Sequence, residues 1–243
     1  MRKAVKILKW GFVLGYFPVM LSFVAVSHRS VVCSDIRVYV KDSMDARFID
    51  AADIRKLVID KNPSLLGEPV RNLNFEELEN FVKRNSSVRT CEVFNSGSGV
   101  INIVLTQYKP IVRVLAANGS FYLDSEGHQI PVSSRFSARV LVANGTLPTD
   151  KTELLNVARL IASDPFWEAQ FEQIYVRKNN DYVLVPRVGD HLILLGPPDE
   201  VEKKLRNLRA LYQSGLDPRE WNEYKVINLK FMNQVICSRS RLL

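Results

Sequence analysis

The hydrophobic pattern of the chain begins with an uncharged stretch, Trp10 to Val26, which four cations and no acid precede. As a helix rising about 1.5 Å per residue, it would be about 25 Å long, the short end of what spans a bilayer. The pattern therefore predicts a transmembrane helix over residues 10–27. By the positive-inside rule, residues 1–9 form a short cytoplasmic tail and the chain from about residue 28 onward lies outside. The side chains that would anchor this helix are Trp10, Phe12, Leu14, Phe17, Leu21 and Phe23.

A cleavable secretory signal is the alternative interpretation of the same stretch. Its features are a basic start, an apolar core and small residues at Ala25 and Ser27. The apolar core is long for a signal, which favours the anchor. A buried core helix is a third interpretation, but such helices usually carry a polar face. The anchor and the signal both place the bulk of the chain outside the cytoplasm.

Two short helices follow, with the same pattern at their starts. Asp50 is the expected N-cap of the first, and Ile49 and Ile54 stand at the positions of a hydrophobic staple. Asn74 is the expected N-cap of the second, with Glu77 as the reciprocal carboxylate of a capping box.

Strands surround these helices. Alternation over residues 36–40 predicts one strand before them, and residues 88–94 and 100–107 predict two after them, joined by a flexible loop at 95–99. The order strand, helix, helix, strand, strand predicts a three-stranded sheet with both helices on one face, as a domain over residues 34–107.

Residues 108–243 predict a second α+β domain, built on an antiparallel sheet. Thr149 or Asp150 is the expected cap of one helix, and Asp199 and Glu202 begin another. Strands are expected at residues 111–117, 120–124, 130–132, 139–143, 174–177, 182–186 and 191–195. Alternation over residues 227–235 predicts one long last strand.

Charge and cysteine content narrow the classes of function. The formal net charge is +7, but four cations precede the predicted anchor, so the exported part is only mildly basic and a nucleic-acid partner is disfavoured. The three cysteines have no metal-binding spacing, and their odd number rules out a complete disulfide framework. Cys91 and Cys237 are small core residues or, in an oxidising compartment, a bridge.

Catalytic patterns are missing from the sequence. None of the motifs HExxH, GxSxG or a phosphate-binding loop occurs, and the histidines are His28, His128 and His191. The run Asp124-Ser125-Glu126 has acids suited to calcium, but hairpin turns recruit the same residues. Helix capping explains the acid pairs at 50 and 53 and at 76 and 77. We therefore expect no enzyme, no cofactor, no metal and no small-molecule substrate.

One helix remains open to two interpretations. The helix that begins near Val201 carries Lys203, Lys204, Arg206 and Arg209, which form either a basic docking face or a solvated amphipathic face.

Three stretches give the chain a resemblance to a known family. They are the strand-helix-helix-strand-strand unit over residues 36–107, the junction TQYKPIVRVLAANGSFYLDSEGHQIPVS from Thr106, and the ending YKVINLKFMNQVICS from Tyr224. Together they resemble the FtsQ (DivIB) family of bacterial cell-division proteins. The first unit looks like the family's POTRA domain, and the ending is similar to that of Bacteroidetes-type members.

The resemblance implies a non-enzymatic scaffold with a single anchor in the bacterial inner membrane at the division septum. Such a scaffold links early division proteins to FtsB-like and FtsL-like partners and to septal peptidoglycan synthesis. In the family, a partner segment adds as a further strand to the edge of the last strand. The implied partner-binding residues are Leu229, Phe231, Met232, Asn233, Gln234, Val235 and Ile236, with Leu205, Arg209 and Tyr212 on the preceding helix.

The alternative function is that of a POTRA-type module that binds polypeptides in envelope assembly or secretion. Such proteins usually carry several tandem POTRA units or a barrel, and the sequence shows neither.

Overall fold

The computed structural model describes the chain with a few gaps, as residues 10, 12, 15–20, 31–42, 47–216, 218–231 and 234–239. It divides into two compact units, Met1–Gln107 and Tyr108–Leu243. Of the predicted anchor, Leu14, Leu21 and Phe23 lie outside the described residues, whereas Trp10, Phe12 and Phe17 are helical and exposed. Within the described ranges, no helix combines the length and the apolar character that crossing a bilayer requires.

The first unit has the predicted order of elements. Strand β1 (Asp35–Val40) precedes helices α1 (Ala51–Lys61) and α2 (Phe75–Lys83), and strands β2 (Val88–Asn95) and β3 (Val100–Gln107) follow them. The strands form a sheet in the order β1-β3-β2, with β1 parallel and β2 antiparallel to β3. The prediction of a three-stranded sheet with two helices is therefore confirmed.

Both helices pack on one face of this sheet. Ile101, Ile103 and Leu105 alternate along β3, and each is fully buried. The side chains that α1 and α2 contribute to the same core are Ile54, Val58, Leu78 and Val82.

The predicted N-caps of the first unit are confirmed, whereas the helix of the second unit expected to be capped by Thr149 or Asp150 has Lys151 at its N-cap. The Asp50 carboxylate accepts a hydrogen bond from the N–H of Ala52 at 2.8 Å, and the Asn74 side chain accepts one from the N–H of Glu77 at 3.1 Å. The carboxylate of Glu77 does not reach back to Asn74. It pairs with the ammonium of Lys61 at 3.0 Å and so links the two helices.

A short segment, residues 31–34, leads into β1 and is held on both sides. The N–H of Cys33 donates to the carbonyl of Glu68 at 2.8 Å, and the N–H of Ser34 donates to the carbonyl of Gly99 at 2.9 Å. The Cys33 side chain is 1% exposed. The segment is therefore part of the folded unit.

Nine strands of the second unit, counted over the described residues, form one sheet in the order β12-β11-β10-β9-β8-β7-β4-β5-β6. They are β4 (Pro110–Ala116), β5 (Gly119–Asp124), β6 (Gln129–Pro131), β7 (Leu141–Gly145), β8 (Phe171–Val176), β9 (Tyr182–Pro186), β10 (Leu192–Gly196), β11 (Val226–Asn228) and β12 (Ile236–Ser238).

The connections of this sheet contain the helices. Helices α3 (Thr152–Ala162) and α4 (Pro165–Gln170) connect β7 to β8. Helix α5 (Val201–Ala210), a π-helical turn (Leu211–Gly215) and a 3-10 helix (Pro218–Glu223) connect β10 to β11. Apolar side chains of α3, α4 and α5 share one core with the sheet.

The prediction that this sheet is antiparallel is wrong. Strand β7 pairs in parallel with both β4 and β8, and β10 pairs in parallel with β11. Helices α3 and α4 between β7 and β8, and helix α5 between β10 and β11, form crossovers that bring the chain back to the sheet in its original direction. Between β4 and β7 lie strands β5 and β6 rather than a helix.

The prediction of one long last strand is also wrong. Strand β11 ends at Asn228, and the chain turns back to form β12 antiparallel to it. The Asn228 side chain accepts a hydrogen bond from the N–H of Lys230 at 3.0 Å, a local turn that ends the strand. The alternation of apolar and polar residues continues past the end of β11. Leu229 is still buried, and its N–H donates a hydrogen bond to the carbonyl of Leu194 at 2.9 Å.

Replacing a cap should destabilise the first unit measurably. We expect Asn74→Ala to lower the free energy of unfolding by about 1 kcal/mol, because the N–H of Glu77 loses its acceptor. Asn74→Asp is the matched control and should retain most of the stability, since aspartate is an equally good cap. Urea denaturation checks both, and equal losses would contradict the capping role.

Candidate partner-binding edge

Strand β12 ends the sheet of the second unit. Among the described strands, it pairs with β11 alone, whereas β11 lies between β10 and β12. Its three residues are opposite Val226, Ile227 and Asn228 of β11. The outer side of β12 is therefore an edge to which another strand can be added.

The middle residue of β12 directs its peptide groups toward this edge. The carbonyl of Ser238 accepts a hydrogen bond from the N–H of Lys225 at 2.8 Å, so Ser238 faces the inside of the sheet. Successive residues of a strand direct their N–H and C=O groups to opposite sides. The N–H and C=O of Cys237 therefore point outward.

The side chains around the edge are partly apolar and exposed. Phe231 is 49% exposed, Ile236 is 42% exposed, and Gln234 is also at the surface. Val235 and Cys237 are half-buried and pack against the core. Of the residues implied by the resemblance, Met232 and Asn233 lie outside the described residues.

Three other implied residues belong to the core. Leu205, Tyr212 and Leu229 are 4%, 8% and 1% exposed and pack in the main cluster of the second unit. A partner at the surface would not reach their side chains. Their role in the structure is to support the elements that lead to β11 and β12.

The turn that follows β11 is fixed by a charged pair. The ammonium of Lys230 bonds to the carboxylate of Asp181, which is 6% exposed, and this bond holds the pKa of Asp181 below its usual range. The lysine chain lies against Gly196, where a Cβ atom would be 2.7 Å from Cγ of Lys230. Gly196 also has φ +76°, which favours glycine.

The cations of α5 are largely engaged within the protein. Lys204 is 2% exposed, and its ammonium bonds to the carbonyl of Pro197 and to the carboxylate of Asp199. This bond lowers the pKa of Asp199. Lys203 pairs with Glu200.

Arg209, the remaining implied residue, joins α5 to α4. Its guanidinium pairs with the carboxylate of Asp164 and lies 4.8 Å and 5.0 Å from the ring centroids of Phe166 and Trp167. Sequence reasoning missed this contact because it missed α4. The signal was Asp164-Pro165, an N-cap followed by proline at the first helical position.

A buried polar cluster supports the segment that leads to β11. His191 is 2% exposed, and its Nε2 lies 2.8 Å from the hydroxyl oxygen of Tyr212, whose ring packs 5.0 Å from that of Trp221. His191 Nδ1 is buried and has no hydrogen-bond partner among the described residues. Burial lowers the pKa of His191 and raises that of Tyr212, while the charge of Asp190 raises the His191 pKa to a smaller extent.

The acidic run after β5 forms a turn. The Asp124 carboxylate accepts hydrogen bonds from the N–H groups of Glu126 at 2.9 Å and His128 at 2.7 Å. Within the described part of the chain, no three histidine, cysteine or acidic side chains converge as metal ligands would. The three cysteines are free thiols, with Cys33 and Cys91 buried.

Fold and edge together define a class of protein: two α+β units in series, the second with an open sheet edge suited to binding another chain. The sequence matches the POTRA-like domain family over residues 31–106. It matches the family described as FtsQ/DivIB, C-terminal related, over residues 109–238, more than half of the chain. The chain belongs to the FtsQ/DivIB family, which associates it with bacterial cell division. None of the curated proteins matches its sequence.

The buried histidine predicts a pH-dependent stability. Because the pKa of His191 is lowered in the folded protein, the unfolded chain binds the proton more readily. We expect the free energy of unfolding to fall as the pH drops below about 6.5, the usual pKa of histidine. His191→Gln should weaken this dependence between about pH 7 and 5.5, as measured by denaturation at each pH.

Denaturation of the unsubstituted protein at the same pH values is the reference for this measurement. An unchanged pH dependence in His191→Gln would contradict the assignment to His191.

Proposed function

We propose that the protein is a non-enzymatic scaffold of the cell-division machinery, which recruits FtsB-like and FtsL-like partners by strand addition at β12. The family match supports a role in division. The observation that carries the docking mechanism is that β12 ends the sheet and that Cys237 directs its peptide groups outward. By holding these partners, the scaffold would link early division proteins to septal peptidoglycan synthesis.

The proposed topology has one membrane anchor. Residues 10–27 would cross the inner membrane at the septum, with residues 1–9 in the cytoplasm. Residues 34–107 would form a periplasmic POTRA-like domain, and residues 108–243 an FtsQ-type β domain. The uncharged stretch and the cations before it support this arrangement.

The energetics require side chains as well as backbone. Cys237 offers one N–H and one C=O, and two hydrogen bonds contribute a net of about 1–3 kcal/mol. A dissociation constant of 1 μM corresponds to about 8 kcal/mol. Fully burying an exposed aromatic or aliphatic side chain contributes about 1.5–3 kcal/mol. Because Phe231 and Ile236 are 49% and 42% exposed, each would add about half of that, and further side chains would supply the rest.

The implied partner-binding residues then separate into two groups. Those proposed to contact the partner are Phe231, Met232, Asn233, Gln234, Val235 and Ile236. Leu205, Arg209, Tyr212 and Leu229 would act indirectly, since three of them are buried and Arg209 is paired with Asp164.

The match to the POTRA-like family also supports a second candidate, a polypeptide-binding module of envelope assembly or secretion. In that case the protein would bind many clients and be distributed around the cell envelope. Location within the cell separates the two proposals.

Proline at the edge tests strand addition directly. We expect Cys237→Pro to weaken binding of the FtsB-like partner's extracytoplasmic segment about tenfold, because the outward N–H is lost. Cys237→Ala keeps the N–H and is the matched control, expected to bind within about threefold of the parent. Calorimetric titration measures both, and thermal melting checks that each variant folds. Equal binding by the two variants would contradict docking through the backbone of β12.

A charge at the exposed aromatic tests the side-chain contribution. We expect Phe231→Lys to abolish recruitment of a fluorescent FtsB-like partner to the septum, because a lysine cannot be buried there without cost. Leu115→Lys, at a residue 40% exposed on β4, is the control and should leave recruitment intact.

Two results in these cells would count against the proposal. Normal recruitment in Phe231→Lys would exclude this side chain from the contact. Even distribution of the scaffold itself around the envelope, without a septal band, would favour the assembly or secretion function.

A further inference from the structure

Two exposed apolar side chains stand on two hydrogen-bonded segments where the chain enters the first unit. Val32 is 44% exposed and Leu66 is 42% exposed. In the sequence, Val32 precedes Cys33 and Leu66 precedes Gly67. The N–H of Gly67 donates a hydrogen bond to the carbonyl of Cys33 at 2.8 Å. We name these two side chains the proximal patch.

The proximal patch is rigidly attached to the unit. Val32 pairs with Pro69 in an isolated bridge, and the N–H of Val70 donates to the carbonyl of Val31 at 3.0 Å. On the other side, Gly99 has φ +81°, and a Cβ atom there would collide with the carbonyl oxygen of Val32. The segment of residues 31–34 is therefore fixed to the unit.

A short tether limits how far the start of the first unit, at Val31, can be from the predicted anchor. Only residues 27–30 stand between Val26, the last apolar residue of the stretch, and Val31. Five peptide steps reach at most about 18 Å, even when fully extended. The headgroup layer on one side of a bilayer occupies about 5–7 Å of that distance. The loop that carries Leu66 would thus always lie close to the lipid surface.

We infer that the proximal patch rests in the interfacial region of the bilayer, so that the lipid surface orients the first unit. This inference depends on the membrane anchor under the proposed function. Apolar side chains favour the interface, and the exposed cation Arg71 on the same loop suits anionic headgroups. Glu68, which is half-buried there, opposes the attraction, so the apolar side chains are the main contribution.

The test uses the full chain in vesicles of phosphatidylcholine and phosphatidylglycerol that carry a nitroxide on the headgroup. Cys237→Ser removes the least buried thiol, since Cys33 and Cys91 are buried. A fluorophore is then attached at Leu66→Cys. We expect headgroup nitroxide to quench at least half of its emission.

Ser86→Cys carries the control label. Ser86 is exposed in the turn before β2. The first residue of β2, Val88, pairs with Gln107, which lies at the opposite end of β3 from Val100. Eight strand residues separate these ends by about 25 Å. Quenching of this label should be less than a fifth of that at position 66. Equal quenching at both positions would overturn the inference.

A second variant separates contact from mere proximity. Val32→Asp places a charge in the proximal patch and should reduce quenching of the label at position 66 at least twofold. Unchanged quenching would mean that the tether alone holds the unit there, and would overturn the contact.

The anchor is checked in the same vesicles by flotation. Protein that does not float with the vesicles overturns both the anchor and the inference. Protein that floats but shows no quenching at position 66 overturns the inference alone.

Discussion

The parallel pairing of β11 with β10 is the constraint on which the far end of the second unit depends. Parallel neighbours cannot be joined by a tight turn, so the chain leaves the sheet and builds α5, the π-helical turn and the 3-10 helix before it returns. After β11 the chain reverses, and β12 takes the outermost position. An edge strand of three residues is the outcome.

Two ion pairs, each with one buried partner, hold the crossover in place. Lys204 is bonded to Asp199 where α5 begins, and Lys230 is bonded to Asp181 where β11 ends. The buried partners are Lys204 and Asp181, and removing the more exposed partner of either pair would leave a buried charge unpaired, which is destabilising. The position of the edge therefore depends on these buried charges.

The first unit could be predicted from local sequence features. The last strands of the second unit depend on pairing between segments that are distant in sequence, which the hydrophobic pattern does not reveal. The caps at Asp50 and Asn74 are read from neighbouring residues, and the structure confirms them. Asn228 ends β11 through a turn that leaves the two-residue alternation intact, so the pattern predicted one strand where there are two. Helical periodicity marks Leu205 and Tyr212 as apolar, but burial in the core and exposure at a docking face give the same pattern.

Amide hydrogen exchange along β12, resolved by residue, tests the central claim most directly. In the free protein, the N–H of Cys237 should exchange rapidly, because it points away from β11, while that of Ile236 should be protected. Addition of the FtsB-like segment should slow exchange at Cys237 at least tenfold. Protection of Cys237 in the free protein, or unchanged exchange with the partner bound, would contradict strand addition at this edge.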